Sequence, residues 1–334
     1  MRCKLKFLKI KTNDPEYNLS LEEYCFKYLP DDDEYFFFWI NEPAIIIGKN
    51  QNVFAEINRD YVEENNIKVV RRITGGGAVY HDLNNINFSY VSKKKSNQGI
   101  DFTPYYKMLV AAMKNMGIDA ELTGRNDLTI DGYKIAGASQ SVWHDRMLSN
   151  CCILYDVNLE NLAKSLTVRK EKLESKGVKS VRARVSNIKP LITQDLTPEE
   201  FLENLQSELI KNLGDEVSEY VLTDEDLKGI DKIYTERFSK REWNYGRVLH
   251  TDNKIYKRFS IGFVELFFNV RDDKIEQLKI MGDFFGEKDV EELCCILKNC
   301  PYNRSAVDER LKDVDLKKYF GDIQRDEFID LFFE

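Results

Sequence analysis

The residues of this chain best suited to chemistry sit in two short runs. The first is Arg71-Arg72-Ile73-Thr74-Gly75-Gly76-Gly77-Ala78-Val79-Tyr80-His81-Asp82. Three consecutive glycines remove every side chain and admit positive φ, so successive backbone N–H groups can converge on an anion. Two arginines bring planar donors suited to carboxylate or phosphate oxygens. His81 follows directly, where an imidazole can orient either group or serve only structurally. A glycine-rich hairpin turn flanked by surface arginines would use the same residues. A Walker loop would not, because no Lys-Ser or Lys-Thr pair follows at the required spacing.

The second run is Gly124-Arg125-Asn126-Asp127-Leu128-Thr129-Ile130-Asp131-Gly132-Tyr133-Lys134-Ile135-Ala136-Gly137-Ala138-Ser139-Gln140. Asp131-Gly132 between two apolar runs predicts a tight hairpin, which places Lys134 at the start of the returning strand. Small apolar residues follow at once, as suits a ligand packed beside that strand. An ammonium fixed there can neutralise a carboxylate and a phosphate in turn, although most lysines are solvated surface charges. Asp127 is a hard oxygen donor of the kind that helps hold Mg²⁺ beside substrate phosphates, or else a turn carboxylate.

Taken in order, these two runs resemble the lipoate–protein ligase A family of the biotin/lipoate ligase superfamily. The resemblance extends through Asn18-Leu-Ser-Leu-Glu-Glu23, Gly48-Lys-Asn-Gln-Asn52, Lys176-Gly-Val-Lys-Ser-Val-Arg-Ala-Arg-Val-Ser-Asn187 and Trp243-Asn-Tyr-Gly246, nearly the whole chain. It implies an α+β fold: a large mixed-sheet catalytic domain of the biotin/lipoate ligase type with a small C-terminal α+β accessory domain. It also implies ATP and Mg²⁺, lipoate as substrate, and a lipoyl-adenylate intermediate. The acceptor would be a lysine on a lipoyl-carrier domain, such as a 2-oxoacid dehydrogenase acyltransferase subunit, the glycine-cleavage H protein or an H-like protein. Carried over by position, Lys134 matches the essential catalytic lysine. Arg72, Thr74, Gly75, Gly76, Gly77, Ala78, Val79, Tyr80 and His81 match the lipoate-binding loop. Asn126 and Ala138 match further adenylate contacts, and Asp127 the Mg²⁺ contact. Lys179, Arg182 and Arg184 match a loop that closes over the adenylate. Trp39, Ser149 and Asn150 are expected to wall the acyl pocket.

The sequence departs from the family at one place. Many such ligases carry His-His-Gly some fifteen residues after the essential lysine; here Ser149-Asn150-Cys151 stands there, followed by Cys152. That change leaves the choice of acyl group or acceptor open. It also brings a thiol near the site and motivates an alternative, a transferase that moves octanoyl or lipoyl groups between carriers through a Cys151 thioester without ATP. A non-catalytic lipoyl-adenylate-binding protein is a third reading, which an intact Lys134 and Asp127 argue against.

Charge gives independent support for an anionic ligand. Between Lys164 and Lys189 lie nine basic residues against two acidic ones, in a chain whose net charge is −8. A solvated helix face would show the same pattern, but a basic segment in an acidic protein points more readily to phosphates or an acidic carrier. A nucleic-acid partner is not expected, since the segment has no aromatic residue for base stacking and the sequence pI is about 5.3.

The elements that must position these residues are readable at coarse grain. Ser20-Leu-Glu-Glu23 predicts a capping box opening a helix that Pro30 ends. Runs at 35–40, 44–48, 67–73 and 86–91 read as strands. Thr103-Pro104 to Gly117 and Thr197-Pro198 to Gly214 carry helix start and stop signals. A hairpin around Asp272-Asp273, formed by 259–270 and 275–281, is expected to be covered by helices near 286–299, 304–312 and 326–333. A chain of 334 residues exceeds one typical core, and turn chemistry at 245–256 suggests the split: domains 1–245 and 256–334, with 246–255 as linker. No apolar run approaches a membrane span and the N-terminus is too broken by charge for a secretory leader. Seven cysteines without Cys-x-x-Cys argue against a disulfide framework or zinc site, so the expectation is a cytoplasmic enzyme with reduced thiols. Cys294, Cys295 and Cys300 read as small core residues rather than metal ligands.

Overall fold

A computed structural model describes residues 4–94, 99–124, 126–167, 185–214, 217–246 and 250–334. In chain order the strands are β1 (Leu5–Lys9), β2 (Glu34–Trp39), β3 (Ala44–Ile47), β4 (Lys68–Arg71), β5 (Val79–His81), β6 (Asn85–Lys93) and β7 (Glu121–Thr123), then β8 (Asp127–Ile130), β9 (Tyr133–Trp143), β10 (Arg146–Leu154), β11 (Val217–Glu219), β12 (Asn253–Phe259), β13 (Gly262–Arg271) and β14 (Lys274–Gly282). Eight of them form one mixed sheet in the order β11-β1-β2-β6-β10-β9-β8-β7. β1 runs parallel to β2 and β11, and the other neighbours are antiparallel. A second sheet has the order β4-β3-β5. The architecture is α+β, as expected.

Burial on both faces explains the aromatic run of β2. Phe36 and Phe38 face Phe88, Tyr105 and the helices Thr103–Asn115 and Pro198–Leu213; Tyr35, Phe37 and Trp39 face Leu19, Leu21 and Phe26 of helix Pro15–Lys27. Strand alternation delivers successive residues to the two layers. Stacked rings at 4.6 Å (Phe38–Phe88) and 5.2 Å (Phe88–Tyr105) fill the first layer. Helix Pro198–Leu213 has the capping box of Thr197 and Glu200, and Gly214 ends it at φ 82°, as its local signals require.

Three expectations need correction. The first helix begins not at Ser20 but at Pro15, capped by Asp14. An Asp cap followed by Pro in the first turn is the stronger signal, and the Ser20 hydroxyl instead donates to the Glu16 carbonyl. Thr103 is not a cap: it opens the helix after Phe102, and its own N–H donates to Asp101. The C-terminal hairpin gains a third strand, β12, because Ser260 to Gly262 turns the chain where one continuous strand was expected.

Residues of β12–β14 and the helices after them enclose their own apolar cluster, centred on Leu266, Phe268, Leu293 and Phe328. The turn following β14 leaves that cluster and meets the rest of the chain. Gly282 N–H donates to the Asn50 carbonyl (2.8 Å), Gly76 N–H to the Phe284 carbonyl (3.3 Å), and Lys94 pairs with Glu287 and Lys49 with Asp289. Phe285 packs among the large sheet's core residues, 5.5 Å from the Phe102 ring.

Candidate active site

The β8–β9 turn is set by local chemistry. Asp131 and Gly132 adopt φ 51° and 80°, both positive, as a type I′ hairpin turn requires. Lys134 lies two residues into the returning chain, and its Nζ sits 2.7 Å from Asp127 Oδ1 on the facing strand. Gly137 makes room for that ammonium: a Cβ there would lie 3.0 Å from Lys134 Nζ. Lys134 lines a cleft of about 140 Å³, open to solvent, whose wall includes Gly76, Gly77, Ala78, Val79, His81, Asn126, Ala138, Asn150 and Trp39. Residues distant in sequence are thus brought together by β2, β5, β9 and β10.

The glycine run does something other than expected. Of its three glycines only Gly76 has positive φ (88°). Its N–H is taken by Phe284, so that donor does not point at a ligand. Gly75 is required for close approach, since a Cβ there would lie 2.5 Å from the Phe284 carbonyl oxygen. Arg72 is buried beneath the loop and reaches the cleft wall, but its donors are turned to the protein. Its Nε donates to Thr74, Nη1 to the Ile46 carbonyl, and Nη2 to the carbonyls of Gly75 and Gly77. Arg71 likewise holds the carbonyls of Gly48, Lys49, Gln51 and Trp243. Burial lowers both guanidinium groups to about 10, still charged at neutral pH. Both arginines are internal clamps on backbone oxygens, a correction to their reading as free anion donors. The Trp243-Asn-Tyr-Gly246 run completes the clamp: Trp243 Nε1 donates to the Arg71 carbonyl at 2.7 Å and Asn244 accepts from Arg71 N–H.

Two expected wall residues point elsewhere, and in both cases strand alternation is the reason. Tyr80 sits between Val79 and His81 and turns into the cluster with Ile45 and Val69. Ser149 lies on the face opposite Asn150 and accepts from Gln140 Nε2. Thr74 is buried below the loop. Lys179, Arg182 and Arg184 lie outside the described residues. The chain leaves toward them beside Glu56 and Ile57 and returns at Val185 as a parallel bridge to Lys134.

A chain of hydrogen bonds runs beneath the cleft, and its direction is fixed. Arg72 Nε donates to Thr74 Oγ1 at 2.9 Å. Asn150 Nδ2 donates to both oxygens of Glu22, so its Oδ1 accepts the proton of Ser139. Thr74 must then donate to Ser139, 2.7 Å away. From the other side Trp39 Nε1 donates to Ser89, which donates to Glu22. Glu22 is fully buried, and desolvation raises its carboxyl above the usual range while Ser89, Asn150 and the charge of Arg72 oppose this. Its position on helix Pro15–Lys27 was not apparent as a site feature from sequence; neither were Asn41, Ser139 and Phe285.

Cys151 and Cys152 reach the cleft wall, yet burial pushes each thiol up to about 12. Neither is a ready nucleophile at neutral pH. Cys294 and Cys300 are buried and Cys295 exposed, and no cluster of three or more metal-ligating side chains occurs among the described residues.

A solvent-open cleft with apolar and polar walls and the Lys134 ammonium on its lining suits an acyl or nucleotide ligand. Comparison with known proteins gives the family. The model of the lipoyl protein ligase A/B catalytic domain matches residues 14–210, and that of the bacterial lipoate protein ligase C-terminus matches 250–332. The lipoate-protein ligase LplJ of Bacillus subtilis is 43% identical over 323 residues, covering 96% of this chain and 97% of that protein. The crystal structure of P. falciparum LipL1 with lipoate superposes with a TM-score of 0.78 at 26% identity, covering 98% and 97% of the two chains. A bi-partite lipoate protein ligase from Thermoplasma acidophilum, described with its E2 lipoyl domain, has a TM-score of 0.65 at 26% identity, covering 75% of this chain and all of that one. The chain belongs to the lipoate–protein ligase family.

Proposed function

We propose that this protein is an ATP-dependent lipoate–protein ligase acting through a lipoyl-adenylate. In the first step a lipoate carboxylate oxygen bonds to the α-phosphorus of ATP, the α–β anhydride bond breaks, and pyrophosphate leaves. In the second, the ε-amine of a carrier lysine attacks the acyl carbon. The acyl–phosphate bond breaks, AMP leaves, and the amine proton passes to solvent. The carrier is a lipoyl domain, the partner described for the archaeal relative. A cytoplasmic location is part of this proposal; among the described residues no helix is long and apolar enough to cross a membrane.

One observation carries the reading: Lys134 Nζ, held by Asp127 and made room for by Gly137, shares a cleft with the glycine run and Asn126. An ammonium in that place opposes the charge of the acyl carboxylate and then of the α-phosphate, and does so without reorganisation. Asp127 is a single carboxylate paired with the cleft-wall ammonium of Lys134, the usual protein share for a Mg²⁺ otherwise held by phosphates and water. It would hold that ion, which supplies charge neutralisation on the phosphates. Trp39 and Asn150 wall the acyl chain, while Gly76 to Val79, Ala138 and His81 line its path. We place the division between catalytic and accessory domains at 246–255. The enclosed polar chain below the cleft fixes the positions of Trp39, Asn150 and the loop together.

The thioester alternative is disfavoured by the two buried, high-pKa thiols. The test is lipoate-dependent exchange of labelled pyrophosphate into ATP. Exchange requires a reversible adenylate, so its absence would remove the ligase reading, and acyl transfer without ATP would favour the thioester.

A further inference from the structure

His81 has a protonation state imposed from outside the cleft. Asn18 Nδ2 lies 3.0 Å from the Thr12 carbonyl oxygen and 3.2 Å from that of Ile40. Carbonyls only accept, so this edge of Asn18 is its NH₂ group. The same NH₂ reaches Asn41 at 2.9 Å, which identifies the facing atom of Asn41 as Oδ1. The opposite edge of Asn41 is therefore its NH₂, and it donates to His81 Nδ1 at 3.0 Å. Nδ1 must present a lone pair, and the ring proton belongs on Nε2. Two backbone carbonyls thus dictate the tautomer of an imidazole two residues removed in the chain of contacts.

His81 Nε2 is buried and has no hydrogen-bond partner among the described residues, while the ring forms part of the cleft wall beside Trp39. A buried donor without an acceptor is costly, and His81 is a residue of the cleft wall. The ring is kept neutral as well. The charged residues of the cleft wall are Arg72 and Lys134, both cations, the other titratable groups there being the thiols of Cys151 and Cys152. An imidazolium would add an N–H against the Asn41 NH₂.

We propose that Asn18 and Asn41 are positioning residues that lock His81 as the neutral Nε2–H tautomer, and that this N–H donates to an acceptor atom of the bound acyl substrate. The inference rests on the lipoate reading above. Lipoate offers acceptors at its carboxyl oxygens and its ring sulfurs; octanoate shares only the former.

The chain has three histidines, at 81, 144 and 250, so long-range proton–nitrogen spectra of the imidazoles are readily assigned. The expected spectrum shows His81 as the Nε2–H tautomer, unchanged between pH 6 and 8. Asn41→Asp replaces the donor at Nδ1 by an acceptor and should convert His81 to the Nδ1–H or doubly protonated form. It should also weaken lipoate binding by roughly ten-fold, the scale of one neutral hydrogen bond. His81→Phe should weaken binding similarly: equal loss for lipoate and octanoate assigns the contact to the carboxyl end, and loss for lipoate alone assigns it to the ring sulfurs. If His81→Phe fails to fold, Asn41→Asp, which preserves shape, carries the test. An Nδ1–H signature in the unaltered protein, or unchanged affinity in a folded variant, overturns the proposal. Failure of the ligase reading is distinguishable, because the unaltered chain would then show no lipoate-dependent exchange.

Discussion

Gly137→Ala offers a sharp test of where Lys134 works. An added Cβ would lie 3.0 Å from Lys134 Nζ, 3.2 Å from its Cε and 3.8 Å from Asp127 Oδ1. Comfortable contact lies near 3.5–4.0 Å, so the ammonium must retreat by roughly 0.5 Å. What moves is the end of a flexible side chain, 37% exposed, and an ion pair this open contributes about 0–1 kcal/mol to stability. Gly137 has ordinary strand backbone, so alanine also returns about 0.4–1 kcal/mol by restricting the unfolded chain. The two effects nearly offset, and the melting temperature should stay within about 3 °C. Catalysis has no such cancellation. Misplacing a reacting group by about 1 Å can cost 10²-fold, so adenylate formation should fall by roughly 10- to 100-fold. Lys134→Ala should fall by about 10²–10³-fold, the scale for deleting a preorganised donor. The measurements are pyrophosphate–ATP exchange for the two single variants and the double variant, with a thermal melt on each. Because Gly137→Ala acts through the ammonium, it should cost nothing further once Lys134 is gone. A fully additive double variant, or wild-type exchange in Gly137→Ala, would refute the argument.

Other consequences can be checked separately. Trp243→Phe removes the donor to the Arg71 carbonyl and should destabilise the fold by about 1–3 kcal/mol in urea unfolding, with KM for lipoate little changed. Cys151→Ser should keep most ATP-dependent lipoylation, since a thiol pushed up to about 12 carries almost no thiolate at neutral pH; an acyl group trapped on Cys151 that passes to a carrier without ATP would contradict this. Gly75→Ala places a Cβ 2.5 Å from backbone, so the Phe284 segment must separate from the loop, seen as faster proteolysis between the two parts of the chain. Burial and Arg72 push His81 down to about 3 from 6.5. The unfolded chain therefore binds the extra proton, and stability present above pH 6.5 falls by about 1.4 kcal/mol per unit as pH drops toward 3. His81→Gln should flatten that slope in urea unfolding at pH 6 and pH 5.

Local signals were the legible ones. Asp131-Gly132 announced its turn, and Thr197-Pro198 with Gly214 its helix, because both are decided by the backbone preferences of adjacent residues. Where two local signals competed, Asp14-Pro15 outranked Ser20, and Ser20 proved to be bonded back to Glu16. Strand alternation could have separated Asn150 from Ser149 and His81 from Tyr80, because adjacent strand residues face opposite sides. The purpose of the glycine run was not legible. It depends on Phe284 and Phe285, which arrive from the far end of the chain and need Gly75 and Gly76 bare. Nor does an arginine in a motif reveal that its donors are already satisfied by four oxygen partners.

The departure at 149–151 acquires a different meaning once the buried hydrogen bonds are followed. By the resemblance to the family, Asn150 takes the place expected for the second histidine of His-His-Gly. It accepts one proton from Ser139 on one edge and donates to Glu22 on the other. A neutral imidazole can do the same, with one ring nitrogen accepting and the other donating. Asparagine at 150 therefore preserves the polarity of a chain that begins at Arg72, which can only donate, and ends at Glu22, both of whose oxygens accept from Asn150. A residue such as serine or alanine would break it, leaving buried groups unpaired. The Trp39 indole is tied to the same Glu22 through Ser89. Asn150 thus carries the hydrogen bonds from the loop to Glu22 that an imidazole could carry.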